Sequence, residues 1–283
     1  MRSVKSLVAA GAASLLSTVA FAADMPSIMP PPPMYAPAPV EEFGGWYLRG
    51  DIGMTNQSVS SLTLATTAFP AGFQTTGMGF DSSTSYGLGV GYRFNNWFRG
   101  DVTGEYRGKA NFHGSQYTTL NSSFAGFAGV DNYSASKSEW VAMANAYVDL
   151  GTWWCVTPFI GAGVGMARNT ISGFRDDGVS LFTGFGTSPS STFAADGSKW
   201  NFAWALHAGL AYKVSPGLTV ELAYRYMNLG DGVTGPTNSF DGVTVVNGSG
   251  FVFKDITSHD LKLGVRWELS SPPVYAPPLV RKG

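Results

Sequence analysis

The sequence Leu-Thr-Val-Glu-Leu-Ala-Tyr-Arg-Tyr-Met occupies residues 218–227 and alternates between two kinds of side chain. Every second position is apolar or aromatic, and the positions between them include Glu221 and Arg225. Neighbouring side chains of an extended strand point to opposite faces, so one face of this segment is apolar and the other is charged. A run of about ten residues with this pattern is long enough to cross a bilayer as a tilted barrel strand.

Seven further segments show the same two-residue period. The last of them contains Asp260 to Trp267, in which apolar residues alternate with charged residues or glycine. The uncharged run 151–167 is the best candidate for a helix, but Pro158 and the glycines at 161, 163 and 165 favour a strand. The eight predicted strands are 45–54, 84–94, 97–107, 139–150, 156–168, 200–213, 218–227 and 257–269.

The connections between the predicted strands alternate in length. Those after the second, fourth and sixth strands are short turns, whereas the other four run to roughly 25 to 32 residues rich in Gly, Ser, Thr, Asn and Phe. Outer-membrane barrels have this asymmetry, and a sheet in hydrocarbon has to close because unpaired backbone groups are costly there. The sequence therefore predicts an all-β fold: a transmembrane antiparallel up-and-down β-barrel of eight strands, with four long extracellular loops and three short periplasmic turns.

The composition favours a barrel over other membrane or nucleic-acid-binding folds. Glycine accounts for 36 residues, aromatic residues for 14 % and charged residues for 13 %, and the mean hydropathy is +0.04. A helical membrane protein would be more apolar. The formal net charge of −1 offers no basic surface for nucleic acid, and the single Cys155 excludes an intrachain disulfide.

The two ends of the chain cannot form a core. Arg2 and Lys5 precede an apolar run that ends in a small-residue cleavage motif, so residues 1–22 are predicted to be a signal peptide cleaved after position 22 or 23. A retained membrane anchor is the alternative. Residues 23–44 and 270–283 are Pro-rich and are predicted to be periplasmic tails of a barrel at 45–269. They act either as solvated spacers or as docking segments for the cell wall or a periplasmic protein.

The inward faces of the predicted strands carry nearly balanced charge. An eight-stranded barrel is just wide enough inside to be filled by side chains, and charges removed from water need partners. We expect an ionic network that fills the lumen, and the alternative is a charged lining of a wider pore. The predicted interior charges are Arg49, Asp51, Arg93, Arg99, Asp101, Glu105, Arg107, Glu221, Arg225, Asp260, Lys262, Arg266 and Glu268.

Aromatic residues near the strand ends are predicted to mark the membrane interfaces, because amphipathic rings prefer the headgroup level. Trp153 and Trp154 precede Cys155 in a predicted periplasmic turn, and we expect these three residues to pack at that interface. The predicted interface set is Trp46, Trp97, Trp153, Trp154, Trp204, Tyr224, Tyr226 and Trp267.

Three segments resemble a known family. Gly161-Ala162-Gly163-Val164-Gly165 after Thr157-Pro158-Phe159, the strand Val220 to Tyr226 and the closing segment Asp260 to Trp267 are similar to the small porin-family outer-membrane proteins of alphaproteobacteria. The resemblance covers roughly residues 45–269 and implies an OmpA-like eight-stranded barrel in the cell outer membrane. It also implies an abundant surface protein that supports envelope integrity, with adhesion, host contact and sometimes haem binding among the roles of the family.

Two features depart from the pattern of that family. Most such barrels end on an aromatic residue, whereas 14 residues follow Leu269 here. The sequence also contains no OmpA-type peptidoglycan-binding domain. We therefore expect any contact with the cell wall to be made by the short tails.

The sequence favours a structural and surface-interaction barrel, without enzymatic activity and without a cofactor. Its expected partners are outer-membrane lipid, lipopolysaccharide and the barrel assembly machinery. One alternative is a small diffusion channel, and another is a receptor in which His113 and Tyr117 hold haem. A third is a hydrolase of envelope lipids that uses Ser258 and His259, although adjacent residues of a strand point to opposite faces and cannot form a nucleophile and base pair.

Overall fold

The computed structural model describes residues 45–66, 72–120, 126–240 and 242–269. The predicted signal peptide and both Pro-rich tails lie outside these ranges. No helix in the described ranges has the length and hydropathy needed to cross a membrane. Thirteen strands are present there: β1 (Gly45–Ser58), β2 (Ser61–Leu64), β3 (Gln74–Phe80), β4 (Ser83–Arg93), β5 (Phe98–Thr118), β6 (Phe127–Asp149), β7 (Val156–Phe182), β8 (Gly186–Ala194), β9 (Gly197–Ser215), β10 (Leu218–Val233), β11 (Thr237–Phe240), β12 (Val245–Gly248) and β13 (Phe251–Glu268).

Eight of these strands form a closed antiparallel ring. The pairs run β1–β4, β4–β5, β5–β6, β6–β7, β7–β9, β9–β10 and β10–β13, and β13 pairs with β1 to close the ring. The closing seam extends from Tyr47↔Glu268 to Ser58↔Thr257. Each ring strand therefore has a hydrogen-bonded neighbour on both sides, as a sheet in hydrocarbon requires. The predicted all-β barrel is confirmed.

The alternation read from the sequence separates the inside of the ring from the outside. Leu88, Val102 and Leu263 belong to a large set of apolar side chains exposed on the outer surface, whereas Arg99 and Glu105 are buried within the ring. This inverted arrangement suits a bilayer, where the solvent is apolar. The predicted alternation of apolar and polar residues in the ring strands therefore agrees with their burial.

Three glycines of β7 allow β6 to pack closely against them. A Cβ atom at Gly163 would clash with Oδ1 of Asn145, and one at Gly165 would clash with the carbonyl oxygen of Ala142. A Cβ at Gly161 would meet the ring of Tyr147. The period-two glycines that argue against a helix in the sequence therefore serve close packing across one strand pair.

The predicted long loops are largely strands, which corrects the strand boundaries. β5 continues to Thr118, β6 begins at Phe127 and β7 continues to Phe182. The outward faces of these segments mix polar residues such as Asn111, Ser115 and Ser134 with scattered apolar ones, so they lack the continuous apolar face that identified the membrane strands. The result is a distal sheet, defined as residues 110–118 of β5, 127–137 of β6 and 170–182 of β7 together with β8, β11 and β12.

Candidate functional site

The centre of the lumen is organised around Glu105 on β5. Its two carboxylate oxygens accept hydrogen bonds of 2.6 and 2.9 Å from Arg225 on β10, and Nζ of Lys262 on β13 lies 2.7 Å away. Arg107 adds a longer contact of 3.7 Å. Three cations from three strands therefore converge on one buried carboxylate, in the charge-assisted geometry that compensates for lost hydration.

A second centre forms around Glu221, nearer to the short turns. Arg266 donates to it at 2.7 Å, and Arg99 and Arg49 lie at 3.3 and 3.7 Å. Arg49 also donates to Asp101 at 2.7 Å. The two centres are joined across the lumen, because Lys262 contacts both Glu105 and the Asp51 carboxylate beside Arg49.

The network continues toward the distal sheet through Arg107. This guanidinium donates to both oxygens of Asp260 at 2.9 and 3.1 Å and lies 2.6 Å from Glu139. Glu139 in turn pairs with the fully buried Lys137, which also donates to Gln57. Arg107 and its partners therefore tie β5, β6 and β13 together inside the ring.

All thirteen charges predicted for the interior lie on the inward face. Eleven of their side chains are at least nine-tenths buried, and Arg93 and Glu268, which pair with each other, are the more exposed members near the short turns. Lys137, Glu139 and Asp149 also belong to this network and are absent from the predicted set. Lys137 falls in a predicted loop, and the other two stand at the ends of a predicted strand. With these three, the described interior network holds eight cations and eight anions.

A second layer, the aromatic plug, fills the ring on the distal side of the ions. We define it as Phe80, Phe112, Tyr133, Phe174, Phe251 and Phe253. The centroids of Phe112 and Phe253 are 4.8 Å apart and those of Phe174 and Phe251 are 4.5 Å apart. Nζ of Lys137 lies 4.8 Å from the ring centroid of Phe80, which joins the ionic layer to the aromatic plug. The sequence therefore predicted the ionic layer of the lumen but not the aromatic plug.

The ionic layer borders a small cavity and a larger vestibule. A cavity of about 10 Å³ lies beside Tyr147 and His207, close to the volume of a single water-sized probe. A vestibule of about 340 Å³ opens at the end with the short turns and is lined by Arg93, Lys213 and Arg266 among others. The vestibule is a recess at one end of the lumen.

Aromatic residues form two bands on the outer surface of the ring. Trp46, Trp97, Trp153 and Trp267 are exposed near the short turns, and the edge-to-face pair of Trp46 with Tyr92 belongs to the same band. Trp154 is 97 % exposed, and with φ of 49° it occupies a left-handed conformation in the turn before β7. Cys155 shares this conformation and is exposed too. The packing of Trp153, Trp154 and Cys155 at the membrane interface stays a prediction.

The second band lies toward the distal sheet and contains Trp204, Tyr224 and Tyr226 from the predicted set. It also contains residues that the set omitted. The centroids of Tyr106 and Trp140 are 4.9 Å apart, and Trp200 follows two strands further around the ring. These residues could have been found from the sequence, because each stands at the outer end of a predicted strand.

The outward face of the distal sheet carries an apolar row across four strands. Tyr117, Val130, Val179 and Pro189 are consecutive partners in the strand register. Tyr117, Val130 and Val179 are 38, 43 and 47 % exposed. All four residues fall in predicted loops, so the sequence pattern does not reveal this row.

The residues considered for catalysis or haem binding are separated by the fold. Ser258 is buried inside the ring and hydrogen bonded to Arg107, whereas His259 points outward and contacts the hydroxyl of Tyr224 at 2.6 Å. His113 lies 3.7 Å from Asp81, and Tyr117 donates to Gln74. Within the described ranges no group of three or more His, Cys, Asp or Glu side chains is arranged to hold a metal ion.

Two acidic residues face each other diagonally in the distal sheet. Asp176 on β7 is paired with Tyr133, and Asp131 on β6 is paired with Gly178. Burial, followed by the charges of Asp131 and Asp177, raises the pKa of Asp176 to about 7. Burial also raises the pKa of Asp131. The pair therefore carries fewer than two negative charges near neutral pH.

The chain is similar to several known proteins. A putative adhesin of Rickettsia felis is 28 % identical over 276 residues, which cover 93 % of this chain and 98 % of the relative. An uncharacterized protein of Brucella abortus is 33 % identical over 236 residues, or 77 % of this chain and 79 % of the relative. Among solved structures, Neisserial surface protein A has a TM-score of 0.43 at 18 % identity and covers 80 % of this chain and 97 % of its own.

The family model for the outer membrane protein beta-barrel domain matches residues 10–268, which include every strand of the closed ring. With its ionic interior, aromatic bands and apolar outer surface, the chain belongs to the outer membrane protein beta-barrel family and resides in the outer membrane.

Proposed function

We propose that the protein is a surface-interaction barrel that supports the envelope and attaches the cell to external surfaces through its distal sheet. The observation that carries the proposal is the continuation of the ring strands beyond the outer aromatic band into the distal sheet. The name of the Rickettsia felis relative, a putative adhesin, supports the same class of role.

The apolar row gives the distal sheet a defined contact surface. Val130 and Val179 are direct cross-strand partners, and Tyr117 extends the row by one strand. Hydroxyl and amide side chains flank it, including Ser115, which donates to Asn132 at 2.8 Å. A row of exposed apolar side chains with a polar rim is typical of protein interaction sites.

Cells that carry the V130S/V179S variant are expected to attach to cultured epithelial cells at least about fivefold less than wild type, since truncating central interface residues costs more than about 1 kcal/mol. Attachment is measured in a deletion strain complemented with each variant. Both substitutions are outward-facing, so the amount of folded protein in the outer membrane should be unchanged and is checked by heat-modifiable gel mobility.

The matched control is S134A/N238A, which alters outward residues of the same sheet outside the apolar row. This control should attach like wild type. Equal attachment by the deletion strain and the complemented strain would refute the surface-interaction role. Loss of attachment in the control variant would assign the effect to the sheet as a whole rather than to the row.

Refolded protein is expected to show no stable open channel in planar bilayers, because the ionic network and the aromatic plug occupy the lumen. A wide multistranded porin reconstituted in parallel provides the positive control. A reproducible, long-lived open conductance of the wild-type protein would favour the alternative of a small diffusion channel.

Further proposals concern parts of the chain outside the described ranges. We propose that residues 1–22 direct export and that the tails 23–44 and 270–283 lie in the periplasm, as spacers or as contacts for the cell wall. We also propose that the barrel assembly machinery inserts the protein and that lipopolysaccharide surrounds it. The fold, the composition of the tails and the outer-membrane location support these proposals.

A further inference from the structure

The outer aromatic band contains one cation in its lipid-facing row. Across β5, β6, β7 and β9, the register pairs Tyr106 with Trp140, Trp140 with Arg168 and Arg168 with Trp200. All four residues are exposed on the outside of the ring. Aromatic rings of this kind mark the headgroup level of a bilayer, so Arg168 lies at the height of the lipid headgroups.

A β-bulge places a second cation beside the first. The register of β5 against β6 shifts between Arg107 and Ala110, so two residues of β5 oppose Ser138 alone. Strict alternation from the inward Arg107 would turn Lys109 inward, but Lys109 is exposed while Ala110 is buried. Second-neighbour strands are about 10 Å apart, so the long side chains of Lys109 and Arg168 flank a single headgroup-sized space.

Several hydroxyl side chains lie beside the two cations. Ser138, Thr170 and Ser198 follow one another across β6, β7 and β9, and the hydroxyls of Thr170 and Ser198 are 3.0 Å apart. Nearby, Ser136 donates to Asn111 at 3.2 Å. The carboxylate of Asp81, which also approaches this region, contacts Asn111 and His113. The patch therefore supplies hydroxyl donors next to its two positive charges.

Lys109 and Arg168 differ from the other exposed cations on the distal side. Arg175 contacts Asp177, and Lys199 and Lys254 both contact Asp231, at distances of 2.5 to 3.4 Å. Within the described ranges no carboxylate lies at ion-pair distance from Lys109 or Arg168. Two uncompensated cations at the headgroup level indicate an anionic partner supplied by the membrane.

We propose that Lys109 and Arg168 form a binding site for the phosphate groups of lipid A in the outer leaflet. Arginine binds phosphate oxygens in a bidentate fork and lysine acts as a mobile point charge. The adjoining hydroxyls of Ser138, Thr170 and Ser198 suit the sugar part of the same headgroup, and the rings of Trp140 and Trp200 lie beneath it. The proposal depends on the outer-membrane location and not on the attachment role.

The test compares lipid A retention by three proteins refolded in detergent: wild type, K109Q/R168Q and a charge-matched control, R175Q/K199Q. Native mass spectrometry counts bound lipid after titration with phosphorylated lipid A or with its dephosphorylated form. Removing two membrane-facing cations is expected to weaken retention by at least about tenfold. The control should bind as wild type does, and the wild type should bind the dephosphorylated lipid as weakly as the K109Q/R168Q variant binds lipid A.

Each outcome bears on the proposal. Equal retention of lipid A by wild type and K109Q/R168Q would overturn it, as would an equal loss in R175Q/K199Q, which would indicate a general effect of charge. Equal binding of the dephosphorylated lipid would show that phosphate is not recognised. Displacement of lipid A by millimolar inorganic phosphate would reassign the site to free phosphate. Heat-modifiable gel mobility and strand-type circular dichroism verify that all three proteins are folded.

Discussion

Replacing Glu105 with alanine is expected to lower the free energy of unfolding by about 3 to 5 kcal/mol, the range for removing one partner from a buried ion pair. The carboxylate of Glu105 is the shared acceptor of Arg225 and Lys262 and lies near Arg107. Without it, the three cations that share this acceptor are left facing one another inside the ring. The urea midpoint of the refolded protein, followed by tryptophan fluorescence and gel mobility, measures the loss.

Two comparisons define this prediction further. The same change at Glu221, the acceptor of Arg266 and Arg99, should destabilise the protein to a similar extent. Asp177, the exposed partner of Arg175, provides the control. Asp177→Ala should leave the urea midpoint unchanged because solvent screens that ion pair. A Glu105→Ala barrel with the wild-type midpoint would mean that the interior charges are individually dispensable.

Replacing Phe253 with alanine is expected to cost about 3 to 5 kcal/mol, the usual range for deleting a buried phenylalanine. Phe253 is fully buried, and its ring lies between those of Phe112 and Phe174. The substitution leaves a cavity in the aromatic plug. It should therefore increase the rate of amide hydrogen exchange more in the distal sheet than in the ring strands near the short turns. Hydrogen exchange and urea unfolding together measure both effects.

The matched control for this prediction is Phe193→Ala on β8. Phe193 is half exposed on the outward face of the distal sheet, so its removal creates no cavity inside the ring. A small change in the urea midpoint is expected. An equally small change in the urea midpoint for Phe253→Ala would mean that the side chains of the aromatic plug are not tightly packed.

The membrane strands could be predicted because lipid imposes a strict rule on them. A residue such as Leu263 has to face hydrocarbon and its neighbour Lys262 has to face the lumen, so the two-residue period identifies both face and strand. The rule also identified thirteen of the interior charges. It could not show which cation meets which anion, because the contact of Glu105 with Lys262 joins strands that are distant in sequence and depends on the register of the ring.

The distal part of the molecule could not be predicted in the same way. Beyond the outer aromatic band there is water on the outside of the sheet, so Ser134 and Ser136 serve there as well as apolar residues would, and the period becomes unreadable. Lys137 and Phe112 therefore fall in predicted loops although both are buried. The outward turn of Lys109 depends on a single extra residue in β5, which no alternating pattern reveals.

The seam between β1 and β13 has a consequence for biogenesis. These strands stand at opposite ends of the described chain, and twelve residue pairs join them. During synthesis and export the first strand therefore has no partner on that side until the last strand arrives. An exposed strand edge is a template for aggregation, so the newly exported polypeptide needs a chaperone or an insertion catalyst that shields this edge until the cylinder shuts.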